Sequence, residues 1–182
     1  MIALLIVDMQ NVLFQGEPAR YDASGVIQRI ERLAAAVRAV GGMVVFVQHE
    51  DDGPFEPGSE GWEILAALTR QDSDVVVGKG ACDAFYQTGL ADLLLDAGVR
   101  ELIVTGCATD FCVDTTIRVA ASLDFEVVVA GDGHTTKDRP HLGAEEIIRH
   151  HNWMWENLIL PEREVKVMTT AEILTWLEEG QR

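Results

Sequence analysis

Short apolar runs rich in Val, Ile and Leu alternate along this chain with longer stretches whose apolar residues recur at helical spacing. The short runs read as strands buried on both faces, and the longer ones as amphipathic helices that cover them. Their alternation predicts βα units feeding a parallel sheet. Six strands are predicted, at 2–8 (IALLIVD), 43–48 (MVVFVQ), 74–78 (DVVVG), 101–105 (ELIVT), 125–130 (FEVVVA) and 164–168 (EVKVM). The first helix is expected over 24–40, capped by Ser24 and stopped by Gly41 and Gly42, with further helices over 88–97, 110–122, 141–155 and 169–179. One pronounced loop signal, EDDGPFEPGSEG at 50–61, is too short for an interdomain linker. The expected architecture is a three-layer αβα domain spanning 1–182, built on a six-stranded, mainly parallel Rossmann-like sheet.

Composition narrows the function classes. The chain has 182 residues, 48% of them hydrophobic, which suffices for one sizeable core. A net charge of -16 repels polyanions and argues against a nucleic-acid or acidic-membrane partner. The opening MIALLIVDMQ lacks a basic leader and is interrupted by Asp8, so it reads as a buried strand; no apolar run approaches the ~18 residues of a membrane span. Three cysteines, an odd number without an export signal, point away from a disulfide framework and towards a reducing cytoplasm.

In an open parallel sheet, ligands bind beyond the carboxyl ends of the strands. The residues expected there are Asp8 and Gln10, His49, Lys79, the GCATDFC turn, and Asp132 with His134. Within the turn, Cys107 and Cys112 invite three readings: a metal site, a disulfide, or one reactive thiol beside a bystander. Four intervening residues match neither C-x-x-C nor a four-ligand zinc set. Cys112 falls in the first turn of the following helix, where unpaired N–H groups favour a thiolate. Cys107 reads as a small buried hydrophobe and Cys82 as a passenger.

LLIVDMQNVLF, VVVGKGACDAFYQTGL and VTGCATDFCVDTT together resemble the isochorismatase-like cysteine hydrolase family, which includes nicotinamidases and other small amidases, and the likeness spans most of the chain. Carried over motif by motif, the resemblance implies a catalytic triad of Asp8, Lys79 and Cys112, an oxyanion hole from the backbone N–H groups of Ala108 and Cys112, and a cis Cys107–Ala108 bond. In such a triad Asp8 takes the thiol proton and later returns it to the departing amine, while Lys79 keeps Asp8 ionised. Nicotinamidases of the family bind a divalent ion through an Asp-x-His pattern after the second strand. This chain has VQHEDDGPF there, and Glu50, Asp51 and Asp52 read as a solvated charge run, so neither metal nor other cofactor is expected.

Gln10, two residues from Asp8, and His134 are candidate pocket residues, with Phe14, Trp62, Phe85 and Phe111 as a candidate apolar wall around a small-molecule substrate. Adjacent His150 and His151 face different sides of a helix, and the Trp153, Met154, Trp155 cluster reads as core or subunit contact; the resemblance implies a homo-oligomer. The expected reaction is hydrolysis of a C–N, amide-type bond through a thioester. Its alternatives are an isochorismatase-type vinyl ether hydrolysis with Asp8 as acid, and a non-catalytic binding module. With 14 basic residues against 30 acidic ones, and only Arg20, Lys137 and Arg139 near the rim motifs, a neutral substrate is expected.

Overall fold

The structure is a computed structural model that describes residues 1–180. The strands are β1 Ile2–Val7, β2 Met43–His49, β3 Val75–Lys79, β4 Glu101–Cys107, β5 Glu126–Thr135 and β6 Lys166–Met168. They form one sheet of order β3-β2-β1-β4-β5-β6, parallel throughout. The helices are α1 Ala23–Ala39, α2 Leu90–Asp96, α3 Asp114–Ser122, α4 Ala144–Glu156 and α5 Thr170–Glu179.

Strand periodicity of two explains why the central strands carry no polar face. Leu5, Val7, Val45 and Val104 point to one side, against Leu90 and Leu94 of α2, Ile117 of α3 and Trp155 of α4. Leu4, Ile6, Phe46 and Ile103 point to the other, against Val26, Ile30 and Leu33 of α1 and Ile173 of α5. Each such side chain, fully withdrawn from water, contributes about 1.5–3 kcal/mol. No helix among the described residues is long and apolar enough to cross a membrane.

The sheet order reverses direction at β1. From there the chain adds β2 and β3 on one side, then β4, β5 and β6 on the other, so the β1/β4 boundary is the switch point at which such sheets bind ligands. Gly106, near the end of β4, fits there because it has φ +117° and because a Cβ would lie 2.1 Å from the Val7 carbonyl oxygen.

Several boundaries differ from the sequence reading. Ser24 lies inside α1; the cap position is held by Asp22, whose φ is 45° and whose carboxylate pairs with Arg29 instead of capping. The irregular stretch after β2 extends to residue 74, anchored by the Gln10–Ile64 bridge and by Leu65 N–H donating to Met9 O. The register of β5 on β4 shifts between Val104 and Gly106, which lets β5 continue to Thr135, so Asp132 and His134 lie within the strand rather than beyond it. The segment expected to be a single helix over 110–122 begins instead with a π-helical turn, Thr109–Val113, ahead of α3.

Candidate active site

Asp8, Lys79 and Cys112 meet over the switch point from three different strand ends. Asp8 follows β1 with a left-handed φ of 47°, a conformation a short polar side chain tolerates, and its N–H still donates to Val47 O at 2.8 Å. Lys79 is the last residue of β3, and its side chain reaches over β2. Its ammonium donates to Asp8 Oδ2 at 2.8 Å, to Ala81 O at 2.9 Å and to Cys112 Sγ at 3.3 Å, which occupies all three N–H bonds. The Lys79 and Asp8 side chains are 0% and 2% exposed.

Asp8 Oδ1 is buried and has no aligned hydrogen-bond partner among the described residues, although the Cys112 thiol is close enough to interact with the carboxylate. Burial raises the Asp8 carboxyl above its ordinary value, and the Lys79 charge only partly offsets this. Burial also acts to lower Lys79, but the neighbouring Asp8 and Cys112 outweigh it and raise the ammonium. The Cys112 thiol is raised first by burial and then by the negative charge of Asp8, against the pull of Lys79. The site thus sets a thiol, a carboxyl group and an ammonium side by side, each shifted by burial and by the other two.

Cys112 owes its position to the π turn. Ala108 O accepts from both Phe111 N–H and Val113 N–H, at 3.0 and 3.2 Å, while Ala108 N–H has no backbone acceptor among the described residues. The Cys107–Ala108 bond is cis. On one flank Arg139 grips Asp110 through Nε and Nη2, at 2.8 and 3.0 Å, and Thr136 Oγ1 donates to the same carboxylate at 2.6 Å. On the other, Trp155 Nε1 donates to Asp114 Oδ1 at 2.8 Å, at the start of α3. Behind the turn, His134 Nδ1 lies 2.9 Å from Thr109 Oγ1, and its Nε2 lies 2.9 Å from Asn152 Oδ1. Asn152 Nδ2 donates to Gly131 O, which fixes the amide and makes His134 Nε2 the protonated nitrogen. Burial lowers His134 to about 4, so it is neutral and accepts from Thr109.

The other expected pocket residues divide. Gln10 is fully buried, and its amide clamps the backbone: Nε2 donates to His49 O and Trp62 O, and Oε1 accepts from His49 N–H. Both of its N–H bonds and one Oε1 lone pair are thus committed to backbone. Phe85 stacks on Phe125 in the core, and His134 braces the turn from behind. Phe14, Trp62 and Phe111 keep partial exposure, Phe111 the most at 51%. Asp51 Oδ1 accepts from Gly53 N–H and Phe55 N–H, closing its own turn.

All three cysteines are free thiols. Burial pushes Cys107 up to about 12, which suits a packing role, whereas exposed Cys82 is near enough to Cys112 to act on it electrostatically. The sequence reading missed the Asp110–Arg139–Thr136 brace. Its only sequence signal is an acid and an arginine flanking the ends of two adjacent strands.

The family model of the isochorismatase domain matches residues 2–172. The chain is similar to a streptothricin hydrolase of Streptomyces noursei, with 38% identity over 76% of this chain and 51% of that one. It is also similar to a ureidoacrylate amidohydrolase of Variovorax paradoxus (strain S110), with 31% identity over 71% of this chain and 67% of the relative. The match spans about half the length of the two streptothricin hydrolases, 51% and 56%. A crystal structure described as an isochorismatase family protein superposes with a TM-score of 0.85 at 33% identity, covering 92% of this chain and 98% of the other.

Proposed function

The chain belongs to the isochorismatase family, and from that premise we propose that it is a cysteine hydrolase that cleaves a C–N, amide-type bond in a small molecule. The observation that carries this reading is the buried Lys79 ammonium touching both the Asp8 carboxylate and the Cys112 sulfur. An ammonium held between an acid and a thiol keeps the acid ionised and stabilises negative charge on sulfur, which a structural ion pair has no need to do.

In the proposed cycle Asp8 takes the Cys112 proton as the sulfur forms a bond to the carbonyl carbon. The carbonyl oxygen becomes an oxyanion facing the Ala108 and Cys112 N–H groups. Collapse returns the electron pair to the carbonyl and breaks the C–N bond, with Asp8 passing its proton to the leaving nitrogen. A thioester remains. Water, deprotonated by Asp8, adds to it, the C–S bond breaks, and the proton goes back to sulfur.

Two named relatives, a streptothricin hydrolase and a ureidoacrylate amidohydrolase, support this reaction class. The test is a panel of small amides with purified wild type, Cys112→Ala and Asp8→Ala. Loss of turnover in both variants is expected. Full activity in Cys112→Ala with complete loss in Asp8→Ala would instead indicate acid catalysis of the vinyl ether type.

A further inference from the structure

The chain is strongly acidic, yet three basic side chains, Arg20, Lys137 and Arg139, gather near the site, and Asp110 pairs with only one of them. Cys107 pairs with Thr135 at the end of β4, and Tyr21 N–H donates to Thr136 O while Thr135 Oγ1 donates to Tyr21 O at 2.5 Å. These bonds lay the segment leading into α1 against the end of β5. Arg20 and Arg139 are thereby brought near Cys107, at the base of the turn that holds Cys112, where their charges act alongside those of Asp8 and Asp110.

The two guanidiniums are held in different ways. Arg20 Nε donates to Leu13 O at 2.6 Å, and the group lies over the Phe14 ring, 5.5 Å from its centroid. Among the described residues no carboxylate pairs with it, although acids outnumber bases by 30 to 14. Arg139 lies over Phe111 at 5.0 Å, with Nε and Nη2 committed to Asp110 and Thr136 and no acceptor for Nη1 among the described residues. Lys137 is anchored beside them by donating to Gln15 O at 3.1 Å. A guanidinium fixed through Nε but open at its Nη groups matches a planar carboxylate, and the aromatic ring beneath it limits competition from water.

We infer that Arg20, assisted by the open edge of Arg139, forms a subsite for a carboxylate, so that the substrate is an amide carrying a carboxylate near its scissile carbonyl. This rests on the proposed role of Cys112 and revises the expectation of a neutral substrate, which assumed few cations at the rim.

Alkylation of Cys112 tests the subsite without a known substrate. In a Cys82→Ser background, the rates of Cys112 modification by iodoacetate and by iodoacetamide are compared by peptide mass spectrometry. Losing a charge-assisted contact predicts that Arg20→Gln slows iodoacetate about tenfold while leaving the iodoacetamide rate unchanged, and that Arg20→Lys restores most of the iodoacetate rate. Equal iodoacetate rates in wild type and Arg20→Gln would overturn the subsite and leave the proposed function standing. If neither reagent modified Cys112, the nucleophile reading would fall and the subsite with it.

Discussion

The three thiols differ in environment: Cys107 is buried, Cys112 half-buried beside Lys79, and Cys82 exposed. Cys112→Ser should abolish turnover with the fold intact, because a serine hydroxyl beside this acid is a far weaker nucleophile, whereas Cys107→Ser and Cys82→Ser should keep much of the activity. Equal losses in Cys112→Ser and Cys82→Ser, in steady-state assays, would mean that the wrong thiol has been assigned. The acid also sets a pH limit. Asp8 accepts a proton only when ionised, and burial raises it despite Lys79, so kcat/KM should fall on the acid side at a pH above the ordinary carboxylate range. A profile flat down to that range would contradict Asp8 as base. Asp8 and Lys79 stood out in the sequence because each closes or follows a short apolar run with a charge unsuited to a core, whereas Cys112 was singled out by the likeness of VTGCATDFCVDTT to the family. Gln10 was not: its spacing from Asp8 suggested a ligand contact, but its backbone acceptors at His49 and Trp62 come from a distant segment whose approach no local pattern reveals.

At the level of elements, the π turn depends on neighbours that hold it from behind. His134 links β5 to that turn and to α4, and it is neutral because burial lowers it to about 4 from its ordinary 6.5. Between those values the unfolded chain binds a proton that the folded one refuses. Stability is therefore complete above the ordinary value and falls as pH drops, by roughly 3 kcal/mol in total. Denaturation midpoints from pH 7 to 4 should show this slope in wild type and lose it in His134→Gln; an unchanged slope would remove His134 as its source. Gly106→Ala should cost more than about 4 kcal/mol, because its Cβ would meet Val7 backbone at an already left-handed position. A soluble variant with a wild-type urea midpoint would contradict this packing. Element type was readable from periodicity, but the extension of β5 and the π turn were not. The extension of β5 accompanies the register shift between Val104 and Gly106, which depends on strand pairing rather than local preference, and the π turn is held by Arg139, His134 and Trp155 from distant segments.

For the whole molecule, alternating βα segments were sufficient to give the parallel sheet, and the strand order placed the acid and the thiol at its switch point. The tryptophan cluster divides: Trp155 is core, while Trp153 on α4 is 62% exposed. Copies are expected to associate through that face, giving a mass by light scattering above the 20.0 kDa of one chain, with Trp153→Glu returning it to that value. A wild-type mass of one chain would remove this expectation. The central claim is covalent chemistry at Cys112, and the most direct measurement is intact-protein and peptide mass spectrometry during turnover of an active amide. An acyl mass on the peptide containing Cys112, absent in Cys112→Ala, is the predicted result. Undiminished turnover in Cys112→Ala, with no acyl adduct on the wild-type peptide, would contradict it.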